Sequence, residues 1–114
     1  MSNWLKWEKG RQKSGYDKML LLTSRWPIPF DLYILRFPTG SQIKAHTDKP
    51  KSGEHHRMNI IIKRARAGGE FICENTIINH PRLKYFRPDI YEHAVTPVTK
   101  GTRYVLSFGW LRRR

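Results

Sequence analysis

His46 and Asp48 stand two residues apart in the stretch Gln42 to Asp48, and His93 follows far downstream. Gln42 to Asp48 reads as a short strand. Residues i and i+2 of a strand point to one face, so the imidazole and the carboxylate project together while Thr47 faces away. A neutral imidazole beside a carboxylate suits a divalent transition metal. A second imidazole, His93 from a neighbouring strand, completes a facial set of two histidines and one carboxylate. Such a set leaves three of six octahedral positions open, which is what non-haem Fe(II) needs to hold a co-substrate and molecular oxygen together. His-x-Asp is common by chance, so its weight depends on what accompanies it.

Arg103 accompanies it, ten residues after His93 and at the start of the apolar run Tyr104 to Trp110. On the inward face of a barrel strand it is a buried charge unless an anion meets it, and its planar fork suits a carboxylate. A dicarboxylate that chelates the metal at one end and pairs with Arg103 at the other fits this arrangement. The competing reading is a surface arginine at a strand start. Val105 and Ser107 share the face of Arg103, which makes Ser107 a further hydrogen-bonding candidate. By the same alternation Arg57 and Asn59 share a face, either lining the cavity toward co-substrate or substrate, or forming a solvent-facing pair at a strand end. His55 and His56 read as ordinary surface residues, His80 as a loop residue, and Cys73 as a small buried hydrophobe.

Short strands must position these groups. Asp31 to Phe37 is rich in aromatic and β-branched residues and ends at the turn Pro38-Thr39-Gly40. Gln42 to Asp48, His56 to Lys63, Glu70 to Glu74, Thr76 to Asn79, Arg82 to Arg87, Ile90 to Val95 and Thr102 to Leu111 continue the series. Between them fall the turn stretches Lys49 to Glu54, Gly68-Gly69, Pro88-Asp89 and Pro97 to Gly101. Strands this short and regular predict an all-β sandwich or barrel. The part before Ser24 has a mixed pattern and is expected to be a short helical or irregular flank, with Trp26-Pro27-Ile28-Pro29 as a break.

The chain has 114 residues, 22 Lys plus Arg against 9 Asp plus Glu, a formal charge of +13 and one cysteine. That length predicts a single domain over 1–114. With 39% apolar residues the chain is too hydrophobic for a charge-driven disordered protein. No run approaches the roughly 18 apolar residues of a membrane span, and the first residues lack the apolar run of a signal peptide. A cytoplasmic protein without a membrane partner is expected, and the lone cysteine agrees with a reducing compartment. The charge favours an anionic partner, nucleic acid or an anionic small molecule. The basic residues are dispersed, with short clusters at Lys9 to Lys13, Lys63 to Arg66 and Arg112 to Arg114. Trp4 and Trp7 sit among cations as in a single-strand binder, yet Trp4, Trp7, Trp26 and Trp110 each read first as packing residues.

Taken in order, Tyr33 to Gly40, His46-Thr47-Asp48, Arg57 to Ile62, Gly68-Gly69-Glu70-Phe71, His93 and Gly101 to Tyr104 resemble the Fe(II)- and 2-oxoglutarate-dependent dioxygenases, in their short prolyl-hydroxylase-like branch. The resemblance covers about Phe30 to Trp110. It implies a double-stranded β-helix, or jelly roll, with His46, Asp48 and His93 as iron ligands and Arg103 binding the distal carboxylate of 2-oxoglutarate. It further implies a hydroxylation that releases succinate and carbon dioxide, on a protein side chain or a nucleic-acid base; the prolyl-hydroxylase-like motifs favour the first and the charge favours the second. The chain departs from the pattern at Phe37, where many members carry a co-substrate-binding tyrosine; Tyr33 is the candidate replacement, because Tyr104 alternates to the face opposite Arg103. Two rival readings stand beside this one: a non-catalytic basic β-barrel that binds nucleic acid, and a cupin-like protein using another metal without 2-oxoglutarate.

Overall fold

The computed structural model describes residues 5–10, 14–25, 28–50 and 53–112. Trp4 and Trp26, with parts of the basic clusters at 9–13 and 112–114 and of the 49–54 turn, lie outside the described residues. The described chain is all β and forms a jelly roll. Its strands are β1 (Trp7–Lys9), β2 (Asp17–Ser24), β3 (Phe30–Phe37), β4 (Ile43–His46), β5 (Glu54–Lys63), β6 (Ala67–Gly68), β7 (Phe71–Cys73), β8 (Ile78–His80), β9 (Leu83–Phe86), β10 (His93–Val95), β11 (Val98–Lys100) and β12 (Arg103–Arg112).

They form a seven-stranded sheet in the order β1-β2-β3-β12-β5-β9-β8, a three-stranded sheet β4-β10-β7 and a two-stranded sheet β11-β6. All pairings are antiparallel. β12 shows why the large sheet encloses a site. Its odd-numbered residues Arg103, Val105, Ser107 and Gly109 are buried and its even-numbered ones from Tyr104 to Trp110 are half-buried, so one face looks inward along ten residues. The core under that face joins Val105, Phe37, Ile61, Val95, Val98 and Tyr16, all under 9% exposed. Each such side chain contributes about 1.5–3 kcal/mol by leaving water.

The expected helical or irregular flank is instead two strands. Met19 pairs with Ile34, Leu20 with Tyr33 and Trp7 with Met19, so the central strand β3 supplies the ladder that the local sequence does not specify. Val98 to Lys100, expected as a turn, forms β11 against β6, and the backbones come so close that a Cβ at Gly68 would collide with the Pro97 carbonyl. Gly68 sits at φ +74°, a region that favours glycine. His80 ends β8 on the sheet edge rather than lying in a loop. Cys73 is half-buried rather than enclosed, and its thiol donates to the Asn75 carbonyl at 3.0 Å.

Candidate metal centre

The pairing of β10 with β4 puts His93 directly across from His46. Their rings lie 4.3 Å apart, centroid to centroid. β4 ends at His46, so Asp48 lies past the strand rather than within it. Its backbone N–H donates to the Pro88 carbonyl at 2.7 Å, which turns the carboxylate back to the two imidazoles. Asp48 Oδ2 is 3.4 Å from His46 Nε2 and 3.3 Å from His93 Nε2.

Hydrogen bonds decide which ring nitrogens face inward. His46 Nδ1 lies 2.7 Å from the Lys44 carbonyl and His93 Nδ1 lies 3.1 Å from the Tyr91 carbonyl. A carbonyl only accepts, so each Nδ1 carries the proton and donates it, which leaves both Nε2 lone pairs turned toward Asp48. Three lone-pair donors thus converge within 4.8 Å of one another. A divalent cation satisfies all three at once. With metal–ligand lengths of about 2.1 Å, neighbouring octahedral donors lie about 3 Å apart, close to the separations found. The residues fit a metal, and the backbone bonds to Nδ1 are the supports that orient ligating histidines. His93 is further held by the rings of Phe86 at 5.1 Å and Phe71 at 6.4 Å.

The three donors open into a cavity of about 260 Å³, on whose wall Arg103 also lies. Arg103 is 4% exposed. Its guanidinium lies over the Phe37 ring at 5.1 Å, and among the described residues no carboxylate makes an ion pair with it. Burial pulls its pKa down to about 10, with the Glu70 charge opposing the shift. At neutral pH it remains a cation, with no carboxylate among the described residues close enough to pair with it.

Cross-strand rows build the rest of the wall. One row runs from Tyr33 through Ser107 to Asn59 and the next from Asp31 through Gly109 to Arg57. Ser107 Oγ donates to Asn59 Oδ1 at 2.6 Å and accepts from Arg57 Nη1 at 2.7 Å. Arg57 Nη2 reaches across Gly109 to Asp31 Oδ1 at 2.8 Å. A Cβ at Gly109 would collide with that guanidinium, so the glycine is what lets the arginine span the strand. Arg57 and Asn59 therefore line the cavity instead of facing solvent, and Arg57 is already engaged by Asp31 and Ser107. Tyr33 lines the same cavity, its phenol pKa raised by burial and next by Asp31.

Several cavity residues lay outside the sequence expectation, among them His55, Tyr16 and Lys18. His55 is on the wall, not the surface, and alternation from Arg57 would have placed it there; burial, then Arg57, lowers its pKa. Tyr16 had no sequence signal. It stacks on Phe37 at 4.9 Å and 18°, across a distance in sequence that only folding closes. His56 is no surface residue either: it points the other way and is buried, stacked on Trp110 at 5.4 Å and bonded to Tyr85 at 3.0 Å.

The turn between β9 and β10 supports the metal loop. Asp89 accepts from Arg87 Nε at 2.8 Å and Nη2 at 2.6 Å. Burial works to raise the Asp89 pKa, but the Arg87 hydrogen bond and backbone N–H groups, that of His55 included, outweigh it and hold the carboxyl below the usual range. A depressed carboxylate contributes stability in full above its unfolded pKa and loses it as pH falls through the folded value. Asp89→Asn is therefore expected to cost about 2–3 kcal/mol at neutral pH, roughly 10 °C in melting temperature. The loss shrinks as pH falls below the ordinary carboxylate value of about 4 and disappears once pH passes the lower folded value, where the native carboxyl is itself protonated. Melting curves from pH 3 to 7 check both parts; equal destabilisation at every pH would refute the ionic account.

No protein-family model and no curated protein matches this chain. Among solved structures, a Pseudomonas putida prolyl-4-hydroxylase superposes with TM-score 0.70 at 14% identity, over 95% of this chain and 77% of that one. The viral collagen prolyl hydroxylase of Paramecium Bursaria Chlorella virus-1, solved with 2OG, gives 0.63 at 14%, over 88% and 80%. The Schizosaccharomyces pombe Cnp3 cupin domain gives 0.66 at 10%, over 94% and 69%. At these identities the likeness is one of fold: a cupin-like jelly-roll barrel, an architecture found in prolyl hydroxylases and in other cupins.

Proposed function

We propose that this chain is an Fe(II)- and 2-oxoglutarate-dependent dioxygenase that hydroxylates a protein side chain or a nucleic-acid base. The observation that carries the reading is the pairing, on one cavity, of a converging His46, Asp48 and His93 set with the buried Arg103, which no carboxylate among the described residues meets in an ion pair. The likeness to two prolyl hydroxylase structures supports it. When bound, Fe(II) supplies the redox chemistry by which oxygen and 2-oxoglutarate convert a substrate C–H to C–OH, with succinate and carbon dioxide as the other products.

The protein's own residues bind and orient. His46 and His93 present Nε2, because their Nδ1 protons are committed to backbone carbonyls. Asp48 offers its carboxylate from the more open side, at 38% side-chain exposure against 15% and 10% for the histidines, so the centre is accessible past the aspartate. Arg103 meets the distal carboxylate of the co-substrate, and its lost hydration is then replaced by two charge-assisted hydrogen bonds. The Ser107, Asn59 and Arg57 chain keeps the wall polar and rigid beside it. Tyr33 and Tyr16 are the phenols on this wall, where Phe37 has none.

A cupin-like metal protein without 2-oxoglutarate is the second reading, favoured by the missing hydroxyl at Phe37. Anaerobic addition of Fe(II) and 2-oxoglutarate separates the two. The dioxygenase reading expects a weak visible charge-transfer band, absent with either ligand alone, and succinate release stimulated by one member of a panel of peptides and single-stranded DNA and RNA. Metal-loaded, folded protein that shows no band supports the second reading.

A further inference from the structure

The large sheet carries the core and the polar cavity wall on its inner face and is apolar over the centre of its outer face. With Val105 and Ser107 pointing inward at 0% and 2% exposure, Leu106 and Phe108 point outward. The register sets Leu106 beside Ile34 on one side and Ile60 on the other, and Phe108 beside Leu32 and Met58. Six apolar side chains thus form a grid over three central strands with no charged residue among them. Trp110 extends it next to Phe30, and Ile60 and Ile62 are 44% and 50% exposed. The small sheets all lie on the other, inner side, where Phe71 of β7 meets Phe86 and Val98 of β11 joins the core. Among the described residues, no helix or strand layer covers the outer face.

An antiparallel sheet with one wet face normally alternates apolar and polar residues. This one does not, and an apolar surface of such extent marks an interaction site. We propose that the outer face of the seven-stranded sheet pairs with the same face of a second copy of this chain.

Size and shape favour this occupant. β2, β3, β12 and β5, eight to ten residues each, present about 19 by 30 Å. With the flanking strands the face approaches the roughly 800 Å² per partner that a stable interface buries. Two sheets of equal twist stack face to face about 10 Å apart, whereas one helix, about 10 Å wide, leaves most of this surface wet. Charge layout agrees. Arg36, paired with Asp17, Lys9 and Lys63 sit at the edges of the face, leaving a neutral centre that a copy can meet. A nucleic acid would leave the aliphatic centre without a partner.

Joining two chains of +13 gives the pairing a distinctive salt response. The apolar contact is opposed by like-charge repulsion, which salt screens, so affinity rises between about 0.1 M and about 1 M salt. Binding to a polyanion falls over the same range. Sedimentation equilibrium from micromolar to submillimolar protein is expected to show a dimer favoured by salt. Ile60→Lys places two cations in a two-fold interface and is expected to weaken association about 100-fold or more. Ile72→Lys, at a 54% exposed position in the other sheet, leaves it unchanged. Far-ultraviolet circular dichroism and melting temperature confirm that both variants fold. Dimerisation that Ile60→Lys does not weaken overturns the proposal. So does a monomer at both salts, including one that binds single-stranded oligonucleotide in an Ile60-dependent way.

Discussion

His93→Ala is expected to reduce Fe(II) affinity by about 100-fold or more and to abolish both the visible band with 2-oxoglutarate and succinate release. The size follows from ligand count. Metal sites of four protein ligands are worth about 10–16 kcal/mol in all, so one imidazole accounts for about 3 kcal/mol. The loss is specific because His93 Nε2 is one of only three converging donors among the described residues. The substitution also removes a ring packed against Phe86 and Phe71, and a cost of about 1–3 kcal/mol in stability is expected beside the lost metal. Asp48→Ala separates the two effects, since Asp48 is the most exposed of the three: metal affinity should fall similarly with little change in the melting temperature of the apo-protein. Anaerobic titration, followed by the intensity of the band, measures both variants. Tight Fe(II) binding retained in folded His93→Ala protein would place the metal elsewhere.

Arg103→Met should have opposite effects on folding and on binding. In the apo-protein the guanidinium is buried with no carboxylate of the described residues in ion-pair contact, and its pKa of about 10, well below the ordinary arginine value, corresponds to about 3 kcal/mol of disfavoured charge. An apolar side chain of similar length relieves that cost, so a gain of about 1–3 kcal/mol is expected, several degrees in melting temperature. The sign also appears in the wild type. A cation whose folded pKa is depressed binds fewer protons when folded, so wild-type stability rises as pH climbs through about 10, and the variant lacks this rise. Co-substrate affinity moves the other way: the loss of a buried, bidentate charge partner costs about 2–5 kcal/mol, roughly 30-fold or more. A stabilised protein that no longer binds 2-oxoglutarate is the expected result. Unchanged co-substrate affinity would remove Arg103 from the site, and a destabilised variant would show that it has a structural partner instead.

Much of the candidate centre was legible because its parts are close in sequence or lie on strands with strict period two. His46 and Asp48 are two residues apart, and the Arg103, Val105, Ser107 face follows from alternation alone. The same rule, extended by one step from Arg57, reaches His55. Asp48 shows the limit of that rule. It lies beyond the end of β4, and its orientation comes from the Pro88 carbonyl, a contact forty residues away in sequence. Tyr16 was illegible for the same reason, since the ring it stacks on is at Phe37. β1, β2 and β11 were missed because short segments with mixed patterning become strands only when a neighbour offers a ladder.

The order of residues by itself determined the chemistry available: two imidazoles, a carboxylate and an arginine, on elements whose alternation sets which side chains share a face. Tertiary structure alone decided that His93 faces His46, that both Nε2 atoms are free to ligate, and that Arg103 is buried with no ion pair among the described residues while Arg57 has one with Asp31. It also decided that the large sheet keeps an apolar outer face. These outcomes depend on register between distant strands and on where each backbone carbonyl falls, and strand periodicity carries no information about either.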